Sequence, residues 1–433
     1  MSRQIKNRSA VALQELLTRY LAVRSFTSEL CKPLTPEDCC LQSMAAASPV
    51  RWHLAHTSWF FETFLLTHDP AYRVFDQQYE VLFNSYYNAV GQQFPREQRG
   101  LLSRPTLEEV FAYRKHVDQA VTDWLANGRG EVKIDVLLVV ELGLQHEQQH
   151  QELMLTDVKH LFSLNPRLPT FRAGRDQENL EPAASTEWLT CDEGIYVIGH
   201  AGDRFAYDNE GPPHRVFLEP STIASCPVTG AEFLEFVEDG GYARPELWLS
   251  LGWDQVQEHR WSHPLYWIES GRQWQEFTLG GPRPLDLQAP VSHVSYFEAD
   301  SFARWAGGRL PTEAEWEVLA KELPLTGNFA DRLLAEDHAL HPSCDRAAVS
   351  RPAGQARQMF GDVWEWTASP YTPYPGYRAA AGALGEYNGK FMCNQYVLRG
   401  GSVATSSSHI RPTYRNFFPP EARWQFSGFR LAK

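Results

Sequence analysis

Residues 145–153 read QHEQQHQEL, and His146, Glu147 and His150 within them spell H-E-x-x-H. In a helix, residues four apart project about 40° from one another, so the two histidines share a face. Val139, Leu142 and Leu153 fall on the same stripe. The spacing predicts a helix from about Asp135 to Phe162, ending before Asn165-Pro166, with both imidazoles turned inward. Two imidazoles one turn apart in an apolar stripe need partners. A metal ion supplies them, and a dense hydrogen-bond network is the alternative.

Working outward, the chain up to about residue 165 reads as helix. Leu13, Leu16, Leu17, Tyr20 and Leu21 recur at helical spacing, and Ser48-Pro49 is a start signal before VRWHLAHTSWFFETFLL. TLEE at 106–109 is a capping box opening a helix that stops at Asn127-Gly128. Four long helices with apolar faces predict a bundle. The loop from about 69 to 105, holding FNSYYNAVGQQFPREQRG, is long enough to be expected to carry function. Residues 166–190 are polar and contain proline, as a linker would. From 191 to 433 short alternating runs (GIYVIG, HRVFLE, YVLRGGS) and brief helices predict an α+β domain.

Composition limits the partners. The chain has 433 residues and a formal charge of −13, with no basic stripe, which argues against nucleic acid and for small molecules. No stretch approaches the ~20 apolar residues that cross a bilayer, and MSRQIKNRSA lacks the apolar block of a signal peptide. A cytoplasmic protein without membrane contact is therefore expected. Seven scattered cysteines with no C-x-x-C pair fit reduced thiols.

A third ligand has to come from another helix. His53 and His56 lie three residues apart in the second one; His56 shares its stripe with Trp52, Trp59, Phe60 and Thr63, whereas His53 falls at the edge. Three histidines hold zinc or iron and leave coordination positions open for chemistry. Against a zinc protease, QELMLTD follows His150 with no G-x-x-H continuation, and Glu178 and Glu181 fall in the linker.

Along nearly its whole length the chain resembles a known family. LAHTSWFFETFLL and HEQQHQELML look like the DinB-type four-helix bundle of the iron-dependent sulfoxide synthases of ergothioneine biosynthesis. PVTGAEFLEF, PVSHVSYFEADSFARWAGGRLPTEAEWE, GDVWEWTASPY, VLRGGS and RNFFPPEARWQFSGFRLAK are similar to the formylglycine-generating-enzyme domain, which has a C-type-lectin-like fold. The resemblance implies a bundle at 1–165 carrying the iron site, a linker at 166–190 and a domain at 191–433 forming the wall of the substrate pocket.

It further implies an oxygenase that uses Fe(II) and O2 to join imidazole C2 of hercynine (Nα-trimethylhistidine) to a cysteine-type thiol, oxidising the sulfur to a sulfoxide. The family's iron ligands map onto His56, His146 and His150, and its imidazole contacts onto Gln149 and Asn416. The proton donor that such chemistry needs has no counterpart after GDVWEWT, where YRAAAGALGEYNGKF stands; Tyr86 and Tyr87 are the replacements. Members that take γ-glutamylcysteine carry an acidic and a basic residue where Phe418 and Ala422 stand, so free cysteine is the expected sulfur donor. Arg96, then Arg99, would bind its carboxylate, and Phe417 and Phe418 would face the trimethylammonium group. The same reaction with γ-glutamylcysteine and an ovothiol-type synthase acting on histidine are the alternatives, with a non-enzymatic metal-binding module and a zinc hydrolase more remote.

Overall fold

The computed structural model describes residues 2–127, 135–175, 186–271, 273–344, 354–380 and 382–433. The chain forms two compact units, Met1–Leu164 with Gly382–Glu386, and Asn165–Ala381 with Tyr387–Lys433.

The first unit is helical: α1 (Ser2–Cys31), α2 (Val50–Phe64), the short α3 (Tyr79–Phe83), α4 (Leu107–Asn127) and α5 (Val136–Ser163). Its starts follow the sequence signals. Thr106 and Glu109 form the reciprocal capping bonds of α4, and the Asp135 carboxylate caps α5 by accepting from Leu138 N–H at 3.2 Å. Helix α2 packs on both α4 and α5, and α1 lies against the same two. Leu54, Phe60, Phe61, Tyr113, Val117, Val140 and Leu144 are buried between them. Close approach of α5 to α2 requires Gly143, because a Cβ there would lie 2.5 Å from Cε1 of Phe61.

The long loop is ordered by side chain to backbone bonds. Asn84 donates to the Tyr87 carbonyl at 3.0 Å and accepts from Tyr87 N–H at 3.3 Å. The Glu386 carboxylate, far along the chain, accepts from Asn88 and Ala89 N–H at 2.8 and 2.9 Å. No sequence pattern pointed to that return.

The second unit is α+β. Strand β1 (Trp188–Cys191) pairs with β4 (Ser221–Ala224), and β2 (Gly194–Ile198) with β3 (His214–Leu218), both antiparallel. A three-stranded sheet runs β5 (Trp267–Ser270), β6 (Gln273–Thr278), β7 (Gly281–Pro284). A four-stranded sheet has the order β10 (Asn416–Phe418), β9 (Tyr396–Arg399), β8 (Trp364–Pro370), β11 (Ser427–Gly428). Helices α6 (Gly230–Glu238), α8 (Tyr296–Trp305) and α9 (Glu313–Ala320) each open with a capping box, while α7 (Ser250–His259) does not.

Much of the motif sequence in this unit serves buried ion pairs. Glu365 of GDVWEWT accepts from Arg430, Glu313 of PTEAEWE accepts from Arg415 at 2.9 and 3.0 Å, and Glu317 pairs with Arg399. All three arginines are fully buried, so their charges require these partners.

The stretch expected as a linker, 166–190, differs in part. Phe171 and Arg172 donate their N–H groups to the Leu279 carbonyl, Arg175 N–H bonds the Asp337 carbonyl at 2.8 Å, and β1 already begins at Trp188. Phe171 is buried, and that apolar anchor ties the segment into the second unit. Residues 176–185, which include Glu178 and Glu181, lie outside the described residues. The cysteines are free, and among the described residues no helix is long and apolar enough to cross a membrane.

Candidate metal centre

His56 on α2 and His146 and His150 on α5 bring one ring nitrogen each to within 4.8 Å of one another. Nε2 of His56 lies 3.2 Å from Nε2 of His146. His56 donates its Nδ1–H to the Phe83 carbonyl at 2.5 Å, which leaves Nε2 of the neutral ring as a bare lone pair. Its orientation is fixed by stacking between Trp52 (centroids 4.4 Å apart, 15°) and Trp59 (5.5 Å, 13°). The Phe60 ring lies 4.8 Å from that of His146.

Burial holds all three imidazoles neutral. It is the largest cause that lowers His56 and His150 well below the usual imidazole range, with the neighbouring His146 next, and it brings His146 down to about 4. Nδ1 of His146 is buried without a hydrogen-bond partner among the described residues. Three neutral nitrogen donors converging in an enclosed site fit a divalent first-row metal, and three protein ligands leave positions open.

The glutamate of H-E-x-x-H is committed elsewhere. Glu147 accepts from Arg24 at 2.9 Å, from Thr27 Oγ1 at 2.6 Å and from Arg114. Burial raises its pKa, but the guanidinium groups of Arg114 and Arg24 outweigh that and hold it at about 2. A carboxylate so placed is a structural counter-ion to α1 and α4. It is no general base for a metal-bound water, and this counts against the zinc-hydrolase reading.

Several other residues singled out in the sequence lie in the same unit. Tyr86 is half-buried, and its hydroxyl accepts from Arg96, which also donates to the Ala46 carbonyl. Tyr87 is buried, with its ring 5.0 Å from Phe64 and 5.7 Å from Trp59, the partner of His56. Arg99 is buried with its guanidinium carbon 3.4 Å from the Trp52 ring centre, and donates to Ser48 and Ser85 at 2.9 Å each. Burial, then the charge of Arg96, lowers its pKa to about 9. Gln149 is half-buried on α5, one residue before His150.

Asn416, Phe417 and Phe418 form β10 of the second unit. Asn416 Oδ1 accepts from Phe417 N–H at 3.0 Å, Phe417 stacks on Tyr371 at 4.1 Å and 9°, and Phe418 meets Trp424 edge-on at 6.1 Å.

The sequence reading set His53 at the edge of its stripe and did not single out Asp157, and both lie next to the triad. His53 is buried and contacts His150, rather than lying at an edge, and Asp157 contacts His53. The signal was present in their spacing: His53 precedes His56 by nearly a turn, and Asp157 follows His150 by two turns on the same face.

A helical bundle with a buried three-histidine cluster, joined to a second α+β unit, defines a two-domain protein with a candidate mononuclear metal centre. Residues 19–154 match the DinB superfamily, and residues 177–433 match the sulfatase-modifying factor enzyme 1-like domain, whose fold is C-type-lectin-like. Hercynine oxygenase of Mycobacterium tuberculosis is 33% identical over 413 residues, covering 91% of this chain and 92% of its own. That of Mycolicibacterium thermoresistibile is 32% identical, covering 89% and 87%. Formylglycine-generating enzyme of Streptomyces coelicolor is 31% identical, covering 55% of this chain and 86% of its own. The chain belongs to the hercynine oxygenase family.

Proposed function

We propose that this protein is an Fe(II)- and O2-dependent oxygenase that joins hercynine to cysteine through the imidazole C2 and oxidises the sulfur, giving hercynylcysteine sulfoxide. The observation that carries this reading is the convergence of His56, His146 and His150 as neutral donors in a chain of this family. In the overall reaction a C–H and an S–H bond are replaced by a C–S bond; one oxygen atom of O2 ends on sulfur and the other leaves as water. Fe(II) held by the triad would supply the electrons that activate O2.

The chain's own residues have the remaining tasks. Gln149 and Asn416 are assigned to the hercynine imidazole, and Phe417 and Phe418 to its trimethylammonium group, which aromatic faces attract. Arg96 is assigned to the cysteine carboxylate, for which a guanidinium is suited. Tyr86 and Tyr87 are assigned to proton delivery; the bond from Arg96 to the Tyr86 hydroxyl supports Tyr86 because it holds that hydroxyl in one place. Phe418 and Ala422, neither of which carries a charge to form an ion pair with the γ-glutamyl head, favour free cysteine over γ-glutamylcysteine.

The test is O2 consumption by Fe(II)-loaded protein with hercynine and either free cysteine, γ-glutamylcysteine or no thiol, with the product mass read at the end. Uptake with hercynine and cysteine that yields the sulfoxide conjugate is expected. Uptake with γ-glutamylcysteine alone would overturn the thiol assignment, and none with any thiol would overturn the reaction.

A further inference from the structure

His53 and Asp157 are 2% and 6% exposed, and the proposed chemistry gives neither a task. Nδ1 of His53 lies 2.7 Å from Nδ1 of His150, and Nε2 of His53 lies 3.1 Å from Oδ2 of Asp157. The same Oδ2 accepts the backbone N–H of Ser48 at 2.8 Å, while Oδ1 has no hydrogen-bond partner among the described residues.

These contacts fix the direction of the chain of bonds. An oxygen already receiving a backbone N–H acts as acceptor, so the hydrogen between Asp157 and His53 belongs to Nε2 of His53. With one hydrogen per ring, Nδ1 of His53 is bare and can only accept. The hydrogen in the 2.7 Å contact therefore sits on Nδ1 of His150, which leaves Nε2 of His150 with its lone pair. The Phe83 carbonyl does for His56 what this pair of side chains does for His150.

We propose that Asp157 and His53 are positioning residues that lock His150 in the tautomer and ring orientation whose Nε2 binds the metal. Carboxylate to histidine to ligand relays of this kind orient metal-bound imidazoles and raise their basicity. The inference rests on the reading of His56, His146 and His150 as a metal centre.

The experiment uses the full chain as wild type, Asp157→Asn and His53→Phe. Fe(II) affinity is read anaerobically by competition with a chromogenic chelator, and the electron paramagnetic resonance of the Fe(II) form is recorded with nitric oxide added. Loss of such outer partners typically weakens metal binding by about 10–100-fold. That loss, with an altered rhombicity of the resonance and a helical circular dichroism spectrum like that of the wild type, is expected for both variants; if one does not fold, the other decides. Affinities within about twofold of wild type and superimposable resonances would overturn the proposal. A wild-type chain that binds no Fe(II) would overturn the metal centre and the inference together. Iron binding without hercynine-dependent O2 uptake would overturn the proposed reaction alone, while weakened binding in the variants would still support the relay.

Discussion

The rings of Trp52 and His56 lie face to face, centroids 4.4 Å apart and 15° from parallel, one turn apart on α2. The Arg99 guanidinium also lies over this indole, whose N–H donates to the Leu82 carbonyl at 3.1 Å. A histidine clamped this way has no freedom to swing out of the cluster. Trp52→Ala removes the clamp and opens a cavity, so a loss of about 3–5 kcal/mol in unfolding free energy is expected. Denaturant titration measures that loss, and a Fe(II) titration of the folded variant should show weaker binding.

Glu147 separates a structural reading of H-E-x-x-H from a catalytic one. Glu147→Gln removes the counter-charge of buried Arg114 and leaves buried Arg24 with Asp118 as its carboxylate partner, at an expected cost of about 3–5 kcal/mol. Turnover per folded, iron-loaded molecule should stay within a few-fold of wild type. A drop of about 10²–10⁴ with the fold intact would instead make it a general base.

The same carboxylate makes stability depend on pH. Its pKa is about 2 in the folded chain against 4.5 as the ordinary value. A depressed folded pKa contributes stability that is complete above the unfolded value and is lost as pH falls through the folded one. Unfolding free energy measured between about pH 5 and pH 2 should therefore fall more steeply for wild type than for Glu147→Gln, by on the order of 3 kcal/mol.

Metal removal tests the centre directly. Chelation should abolish hercynine-dependent O2 uptake and leave the bundle folded, because Phe60, Trp52 and Trp59 still pack around the histidines. Fe(II) should restore uptake and Zn(II), which has no redox chemistry, should not.

The two loop tyrosines should differ. Tyr86→Phe removes a hydroxyl bonded to Arg96 and is expected to lower kcat by about 10²–10⁴ without changing iron content. Tyr87→Phe keeps the ring against Phe64 and Trp59 and should have the smaller effect on kcat. Steady-state O2 uptake on both variants, with iron quantified, checks the order.

The helices of the bundle were legible in the amino-acid order alone, because apolar residues at helical spacing and caps such as Thr106 with Glu109 are local signals that local bonds satisfy. The same order placed His146 and His150 on one face, since four residues make nearly one turn. Which way Glu147 turns could not be read there, because the pattern is shared with metalloproteases and its partners come from α1 and α4. The bond between Asp157 and His53, and the return of Glu386 to the loop at Asn88, joined residues 104 and 298 positions apart. These pairings come from packing: helical periodicity fixes which side chains share a face, but packing chooses the face that meets it, and buried charges and imidazoles then take whatever partners that choice encloses.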